Sequence, residues 1–134
     1  MNIGVVGSRR YRSQTDVEKL IDSFSKDTTI VSGGCQGVDR WAEKRAGERG
    51  LKTLIFRPKL MNVPTDKFKV IESYYERNKK IAENSDIVHA FVVDQKGGTW
   101  NTIKWALKFG KPVVVHEKDK VYKLTPHKGE LLGL

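Results

Sequence analysis

The sequence lacks the features that define several common classes of protein. One cysteine in 134 residues excludes an intrachain disulfide framework and fits a reducing cytoplasm. The histidines, His89, His116 and His127, are scattered, and with Cys35 they give no metal-ligand spacing. No apolar run approaches the length of a membrane span. We therefore expect a cytoplasmic protein with no metal, no cofactor and no membrane partner.

Acidic residues are outnumbered by basic ones. The 25 Lys and Arg residues against 16 Asp and Glu give a formal net charge of +9 and a pI near 9.7. This balance favours polyanionic partners such as nucleic acid, nucleotides or an acidic surface, although a generally lysine-rich surface gives the same charge. Hydrophobic residues at 38% and charged residues at 31% are typical of a globular protein. At this length we predict a single domain, residues 1–134.

Short apolar runs alternate with helical periods along most of the chain. Strands are predicted at 2–6, 28–32, 51–56, 87–93 and 113–116, and helices at 13–26, 37–49, 65–84 and 99–109. Continuous apolar strands joined by helices indicate a parallel sheet covered on both faces. We predict an α/β fold, a Rossmann-like doubly wound domain with a mainly parallel sheet of about five strands in the order 3-2-1-4-5. The core spans about 2–116, and the tail 117–134 has no clear period and is unassigned.

Glycine-bearing segments follow the first, second and fourth predicted strands. They are Gly7-Ser8-Arg9, then Ser32, Gly33, Gly34, Gly37 and Asp39, and finally Gly97-Gly98-Thr99. In a doubly wound sheet all three lie at the edge where the strands end. The second and third lead into helices, whose first-turn N–H groups have no intrahelical partner and whose dipoles attract anions. We predict a phosphate or similar anion between the loops. The usual dinucleotide fingerprint and the Walker A pattern are both absent.

Two polar positions allow a structural and a functional interpretation. Asn78 lies on a helix face that is predicted to be inward, together with Ile71, Tyr74, Tyr75, Ile81 and Ala82. It is either a satisfied core asparagine, or it overhangs the ligand site with Arg77, which could pair with a phosphate. Asp39 is either a first-turn aspartate favoured by the helix dipole, or it bonds a ribose hydroxyl or orients a basic side chain.

The order of these motifs resembles the SLOG superfamily, which includes the DprA (Smf) DNA-processing proteins, the LOG-type phosphoribohydrolases and the YspA-type proteins. The matching motifs are Gly7-Ser8-Arg9, the Ser-Gly-Gly-x-x-Gly-x-Asp run at 32–39, Arg77-Asn78, Ser85-Asp86 and Gly97-Gly98-Thr99. The resemblance implies a Rossmann-like fold that binds nucleotides or related ligands at these loops. It is closest to the DprA and YspA-type groups, through Gly37-Val38-Asp39 and Arg77-Asn78.

The chain departs from the LOG-type pattern at one position. LOG-type enzymes carry a glutamate three residues after the threonine of their glycine loop, where this sequence has Thr102. Arg77 matches the arginine of those enzymes, but a threonine hydroxyl is no acid or base near neutral pH, so LOG-like hydrolysis is not expected. Relative to DprA, the chain resembles only the core.

Three functions stay open. The leading hypothesis is a protein that binds a nucleotide or a related phosphorylated small molecule at the glycine loops. The second is a DprA-like protein that binds single-stranded DNA or RNA, in which Trp100 and Trp105, if exposed, could stack on bases. The third is an enzyme that cleaves an N-glycosidic bond. The oligomeric state is not fixed by the sequence, and a homo-oligomer is compatible with it.

Overall fold

The structure is a computed structural model that describes residues 1–59 and 66–126. Its strands are β1 (Asn2–Gly7), β2 (Thr29–Ser32), β3 (Lys52–Ile55), β4 (Ile87–Phe91), β5 (Val113–Glu117) and β6 (Lys120–Leu124). Its helices are α1 (Gln14–Asp22), α2 (Val38–Glu48), α3 (Lys67–Glu83) and α4 (Gly98–Lys108). The predicted start of the third helix at residue 65, and His127, lie outside the described residues.

All six strands belong to one sheet, in the order β3-β2-β1-β4-β5-β6. The first five are parallel, which confirms the predicted Rossmann-like, doubly wound sheet and the order of those strands. The sheet has one strand more than predicted, because β6 pairs antiparallel with β5 inside the tail that the sequence left unassigned. A two-residue turn at Lys118-Asp119 reverses the chain direction between β5 and β6. The edge strand β6 has five residues, three of them apolar, and is too short to show a clear period.

Helices cover both faces of the sheet. On one face α1 and α2 pack together over a core that includes Ile3, Val5, Val17, Ile21, Ile30 and Phe91. On the other face α3 and α4 pack over a core that includes Val6, Val31, Ile81, Val88, Ile103 and Val115. The near-continuous burial of β1 and β4 follows from this arrangement, because both strands are central and covered on both sides. Among the described helices, none has the length and apolar character needed to cross a membrane.

The N-terminal half of α3 does not face the core, contrary to the predicted inward face. Phe68, Ile71 and Tyr75 are exposed, and the buried residues of α3 begin at Arg77. The 17 residues of α3 span about 25 Å, whereas the five residues of β4 span about 17 Å. Because α3 runs back against the strand direction, its first turns extend beyond the C-terminal ends of the strands.

A pair of histidines lies under the α1 side of the sheet. His89 on β4 and His116 on β5 approach to 2.9 Å between Nδ1 and Nε2, and the His116 ring stacks on Phe91 with ring centroids 4.2 Å apart. Burial, and to a lesser extent the neighbouring His116, lower the pKa of His89 from 6.5 to about 4. Burial also lowers the pKa of His116. Both rings are therefore neutral near pH 7, and one donates a hydrogen bond to the other.

The wild type should lose unfolding free energy relative to the His89→Phe variant as the pH falls. Unfolded His89 takes up a proton near pH 6.5 and folded His89 only near pH 4, so the unfolded state binds more protons between these values. The contribution of neutral His89 is fully present above pH 6.5 and declines by roughly 3 kcal/mol toward pH 4. Urea unfolding of both proteins from pH 7.5 to 4.5 measures the difference. A constant difference over this range contradicts the prediction.

Candidate phosphate-binding site

A cavity of about 440 Å³ lies beyond the C-terminal ends of the central strands, between α3 and the start of α4. It is next to β1, where the strand order reverses and where doubly wound folds bind ligands. We call it the strand-end cavity. The predicted site residues that line it are Gly7, Ser8, Arg9, Asp39, Arg77, Asn78, Gly97, Gly98 and Thr99. The predicted site residues that do not line it are Ser32, Gly33, Gly34 and Gly37.

The loop after β2 is organised around Asp39 on α2. The Asp39 Oδ2 atom accepts hydrogen bonds from the backbone N–H of Gly33 at 3.0 Å and of Cys35 at 3.4 Å. Burial raises the pKa of Asp39 to about 6, an effect that these two N–H groups and the charge of Arg77 partly oppose. The loop N–H groups that an anion would use therefore already have an acceptor inside the protein, and Asp39 holds the loop in place.

The remaining predicted residues of this segment shape the turn. The Ser32 hydroxyl donates to Glu43 on α2. Gly37 is the N-cap residue of α2 and has a φ of 84°, in the left-handed region that favours glycine. Gly34 has a φ of 70°, and a Cβ atom there would lie 2.2 Å from Nη1 of Arg57. The glycines at 34 and 37 are thus favoured by their left-handed backbone conformation, and the end of the exposed Arg57 side chain lies close to Gly34.

Arg77 and Asn78 connect α3 to two of the glycine loops. Arg77 donates from Nη1 to the carbonyl oxygen of Gly33 at 2.8 Å and from Nε to Oδ1 of Asn78 at 2.9 Å. Asn78 Nδ2 donates to the carbonyl oxygen of Gly98 at 3.3 Å and to Oδ1 of Asn101 at 3.1 Å. Both side chains are buried, and both line the strand-end cavity. The structural and the functional interpretation of this pair are therefore compatible.

The first turn of α4 is the clearest anion-binding element of the cavity wall. Its N-cap residue, Gly97, has a φ of 98° and no side chain with which to cap the helix. No described residue accepts a hydrogen bond from the N–H groups of the first turn. Gly98 and Thr99 line the cavity, so these N–H groups, the positive end of the helix dipole and the Thr99 hydroxyl are close to one space.

Sequence reasoning missed several residues of the cavity wall. Arg10 and Lys96 add positive charge beside Arg9 and Arg77, while Asp39 is the only carboxylate among the described lining residues. Lys96 is adjacent to the second glycine turn, so its position in the sequence could have indicated it. Arg10 also forms an ion pair with Asp94, whose side chain accepts a hydrogen bond from the Lys96 N–H and thereby shapes the turn into α4.

Apolar and aromatic residues form the outer part of the cavity. Ile71, Tyr74 and Tyr75 reach it from the first turns of α3. Tyr75 is 48% exposed, and the Arg77 guanidinium lies 5.5 Å from the centroid of the Tyr74 ring. Periodicity placed all three on one helix face, but it could not show that this face extends past the sheet. The cavity therefore combines a cationic floor with an aromatic rim.

The geometry gives less support to glycosidic hydrolysis at Thr102 and to base stacking on the tryptophans. Thr102, at the position of the LOG-type glutamate, is buried, and its hydroxyl donates to the Gly98 carbonyl oxygen at 3.4 Å. Trp100 and Trp105 are half-buried against the core of the α3–α4 face, and Trp105 stacks on Phe109. Each tryptophan therefore exposes only part of its ring to solvent. Within residues 1–59 and 66–126, no group of three or more potential ligand side chains could hold a metal ion.

Comparisons with known proteins agree with this architecture. Residues 1–62 match the family model described as DNA recombination-mediator protein A. No curated protein matches the chain in sequence. The structure of DNA processing protein A (DprA) from Streptococcus pneumoniae is similar, with a TM-score of 0.70 and 24% identity over 85% of this chain and 49% of that one. This chain thus spans about half the length of the pneumococcal protein.

A second similar structure is that of DNA processing protein A from Helicobacter pylori, which is described by its unique single-stranded DNA binding mode. Its TM-score is 0.70 and its identity 24%, over 99% of this chain and 72% of that one. At this level of identity the two structures show a shared fold. Together with the family match over residues 1–62, they confirm that this chain resembles the DprA-like members of the SLOG superfamily.

Proposed function

We propose that this chain binds nucleotides through a phosphate held in the strand-end cavity. The observation that carries the proposal is the first turn of α4, whose uncapped N–H groups meet Arg9 and Arg77 at one cavity. A helix N-terminus and arginine side chains both favour a phosphate over a neutral ligand. The cavity volume, about 440 Å³, is within the range of roughly 300–1,000 Å³ that small-molecule sites have.

The rim of the cavity supports a nucleotide rather than a bare anion. Tyr74 and Tyr75 offer aromatic surface at the opening, beside the cationic floor. A ligand with a phosphate at one end and a planar base at the other matches this division. Stacking on an aromatic ring is tolerant of base identity, since every base has a π face. We therefore expect binding of several nucleotides with similar affinity.

Arg9 provides a test of the phosphate contact. The Arg9→Ala variant should weaken nucleotide binding at least tenfold, because a hydrogen bond to a charged group contributes roughly 1.5–3 kcal/mol. Arg9 is exposed and lines the cavity, whereas Arg12 is also exposed but does not line it, so Arg12→Ala is the matched control. Isothermal titration with the four deoxynucleoside monophosphates measures the effect. Equal affinities of the two variants would contradict a phosphate contact at Arg9.

Binding of single-stranded DNA is the second candidate function. It is supported by the match to the DNA recombination-mediator family, by the fold shared with the Helicobacter pylori protein and by the net charge of +9. A nucleotide within a strand has the same phosphate and base as a free nucleotide, so both candidates use the strand-end cavity. Anisotropy of a labelled oligonucleotide at two salt concentrations tests it, because contacts to several phosphates make affinity fall steeply with salt.

A further inference from the structure

A second cavity, of about 240 Å³, lies between the C-terminal end of β3 and the flank of α3. Four of its lining residues are cationic, Arg57, Lys59, Arg77 and Lys80, and the only described acidic one is Glu76. We call it the basic cavity. The strand-end cavity and the Asp39 network do not account for its charge.

The two cavities share a wall. Arg77 lines both of them. The loop after β2 is held from both sides, because Arg77 donates to the carbonyl oxygen of Gly33 at 2.8 Å and Arg57 donates to that of Gly34 at 3.4 Å. The two cavities are therefore neighbours that have Arg77 in common.

The cations of the basic cavity lack acidic partners within the described part of the chain. Arg57, Lys59 and Lys80 are exposed, and none of them is in a described ion pair, whereas Arg45 is paired with Asp22 and Glu48. Like charges gathered in a concave site raise the local positive potential and attract anions. The Ser73 hydroxyl on the cavity wall shares its one proton between the backbone carbonyl oxygens of Lys59 and Lys69, which ties the segment after β3 to α3.

We propose that the basic cavity binds a second phosphate, that of the nucleotide adjacent to the one in the strand-end cavity, along a single strand of nucleic acid. The proposal rests on the proposed function, since it takes the first phosphate as given. A volume of about 240 Å³ is below the range of roughly 300–1,000 Å³ for sites that enclose a whole small molecule, and it suits a phosphate better than a nucleoside. Contacts of this kind follow the backbone and do not read the base.

The test compares two double variants. Lys59→Ala with Lys80→Ala removes two charges from the basic cavity without touching the arginines that hold the loop. Lys44→Ala with Lys104→Ala removes two exposed charges that line neither cavity, and it is the matched control. Thermal melting establishes that both are folded. Each protein is titrated with the four deoxynucleoside monophosphates, with dTTP and with a labelled twelve-residue oligo-dT, the last at several salt concentrations.

The variant in the basic cavity should bind oligo-dT at least tenfold more weakly than the control variant and bind the monophosphates as the wild type does. The slope of log affinity against log salt should become shallower by about 0.7, because the proposed cavity holds one phosphate of a single strand and each such contact contributes roughly that amount. Equal oligo-dT affinities in the two variants would overturn the second phosphate site and leave monophosphate binding standing. If the affinity for dTTP falls as much as the affinity for oligo-dT, the basic cavity binds a further phosphate of a nucleoside triphosphate. That result would overturn the proposal that it binds a single strand of nucleic acid. Failure of the wild type to bind any of these ligands would overturn the proposed function as well.

Discussion

Replacing Gly98 with leucine is expected to weaken nucleotide binding more than a hundredfold and to leave the fold intact. Gly98 is the first residue of α4 and lines the strand-end cavity. An added Cβ would meet only Asn78 Nδ2, at 3.8 Å, an ordinary contact. The leucine side chain would therefore fit the backbone but occupy space beside the N–H groups on which the phosphate is proposed to bind. Since an anion loses most of its interaction with those groups when it is displaced, the loss should be large.

Gly47 offers a matched control for this substitution. It is in α2, an added Cβ would have no neighbour within 4 Å, and it does not line the cavity. Leucine forms helix better than glycine, so both variants should unfold at the temperature of the wild type or slightly above it. Titration calorimetry and thermal melting measure the two properties. If Gly98→Leu binds nucleotides as well as Gly47→Leu does, the phosphate is not at the start of α4.

The Asp39→Ala variant should lose about 2–4 kcal/mol of unfolding free energy. It leaves the backbone N–H groups of Gly33 and Cys35 without their acceptor, and a buried unsatisfied donor costs about 1–3 kcal/mol. Asp39→Asn keeps an acceptor oxygen in the same place, so it should lose much less. Urea unfolding of the three proteins at pH 7 measures these differences. Equal losses in the two variants would show that the hydrogen bonds to Asp39 do not stabilise the loop.

The pH dependence of the Asp39→Ala effect has a definite sign. Burial raises the pKa of Asp39 from 3.8 to about 6, so between these values the folded state binds more protons than the unfolded state. The wild type therefore gains stability from this group as the pH falls from 7 to 5, while the alanine variant does not. The stability difference between the two proteins should widen over that interval. A difference that narrows on acidification would contradict the raised pKa.

Much of the fold could be predicted because its signals are local. Apolar runs and helical periods gave five strands and four helices, and rules of chain connection reduced the topology to the observed order of β1 to β5. The strand β6 in the tail could not be predicted in this way, because it depends on pairing with β5 and its own sequence has little periodic pattern. The prediction that the N-terminal half of α3 faces inward was also wrong. Periodicity shows which residues share a helix face, but it does not show how far the sheet beneath that face extends.

The candidate site was predictable as a region but not in its atomic detail. Glycines at the strand ends indicated where the loops converge, because parallel strands end at a common edge. They could not indicate that the N–H groups of Gly33 and Cys35 turn toward Asp39, since that depends on peptide rotations which residue types do not specify. Nor does the sequence show that Arg77 bonds to the carbonyl oxygen of Gly33, a contact across 44 positions.

The position of β6 at the rim of the sheet bears on how the molecules behave in concentrated solution. An edge strand exposes backbone groups to which another extended chain can add, and this is a route to aggregation. Lys120 and Lys123 are exposed on β6, and Lys52 is exposed on β3 at the opposite rim. A strand from a second molecule would bring its own lysines against these charges. We therefore expect these lysines to oppose edge-to-edge association of the described sheet, and we expect the opposition to weaken as salt screens the charges.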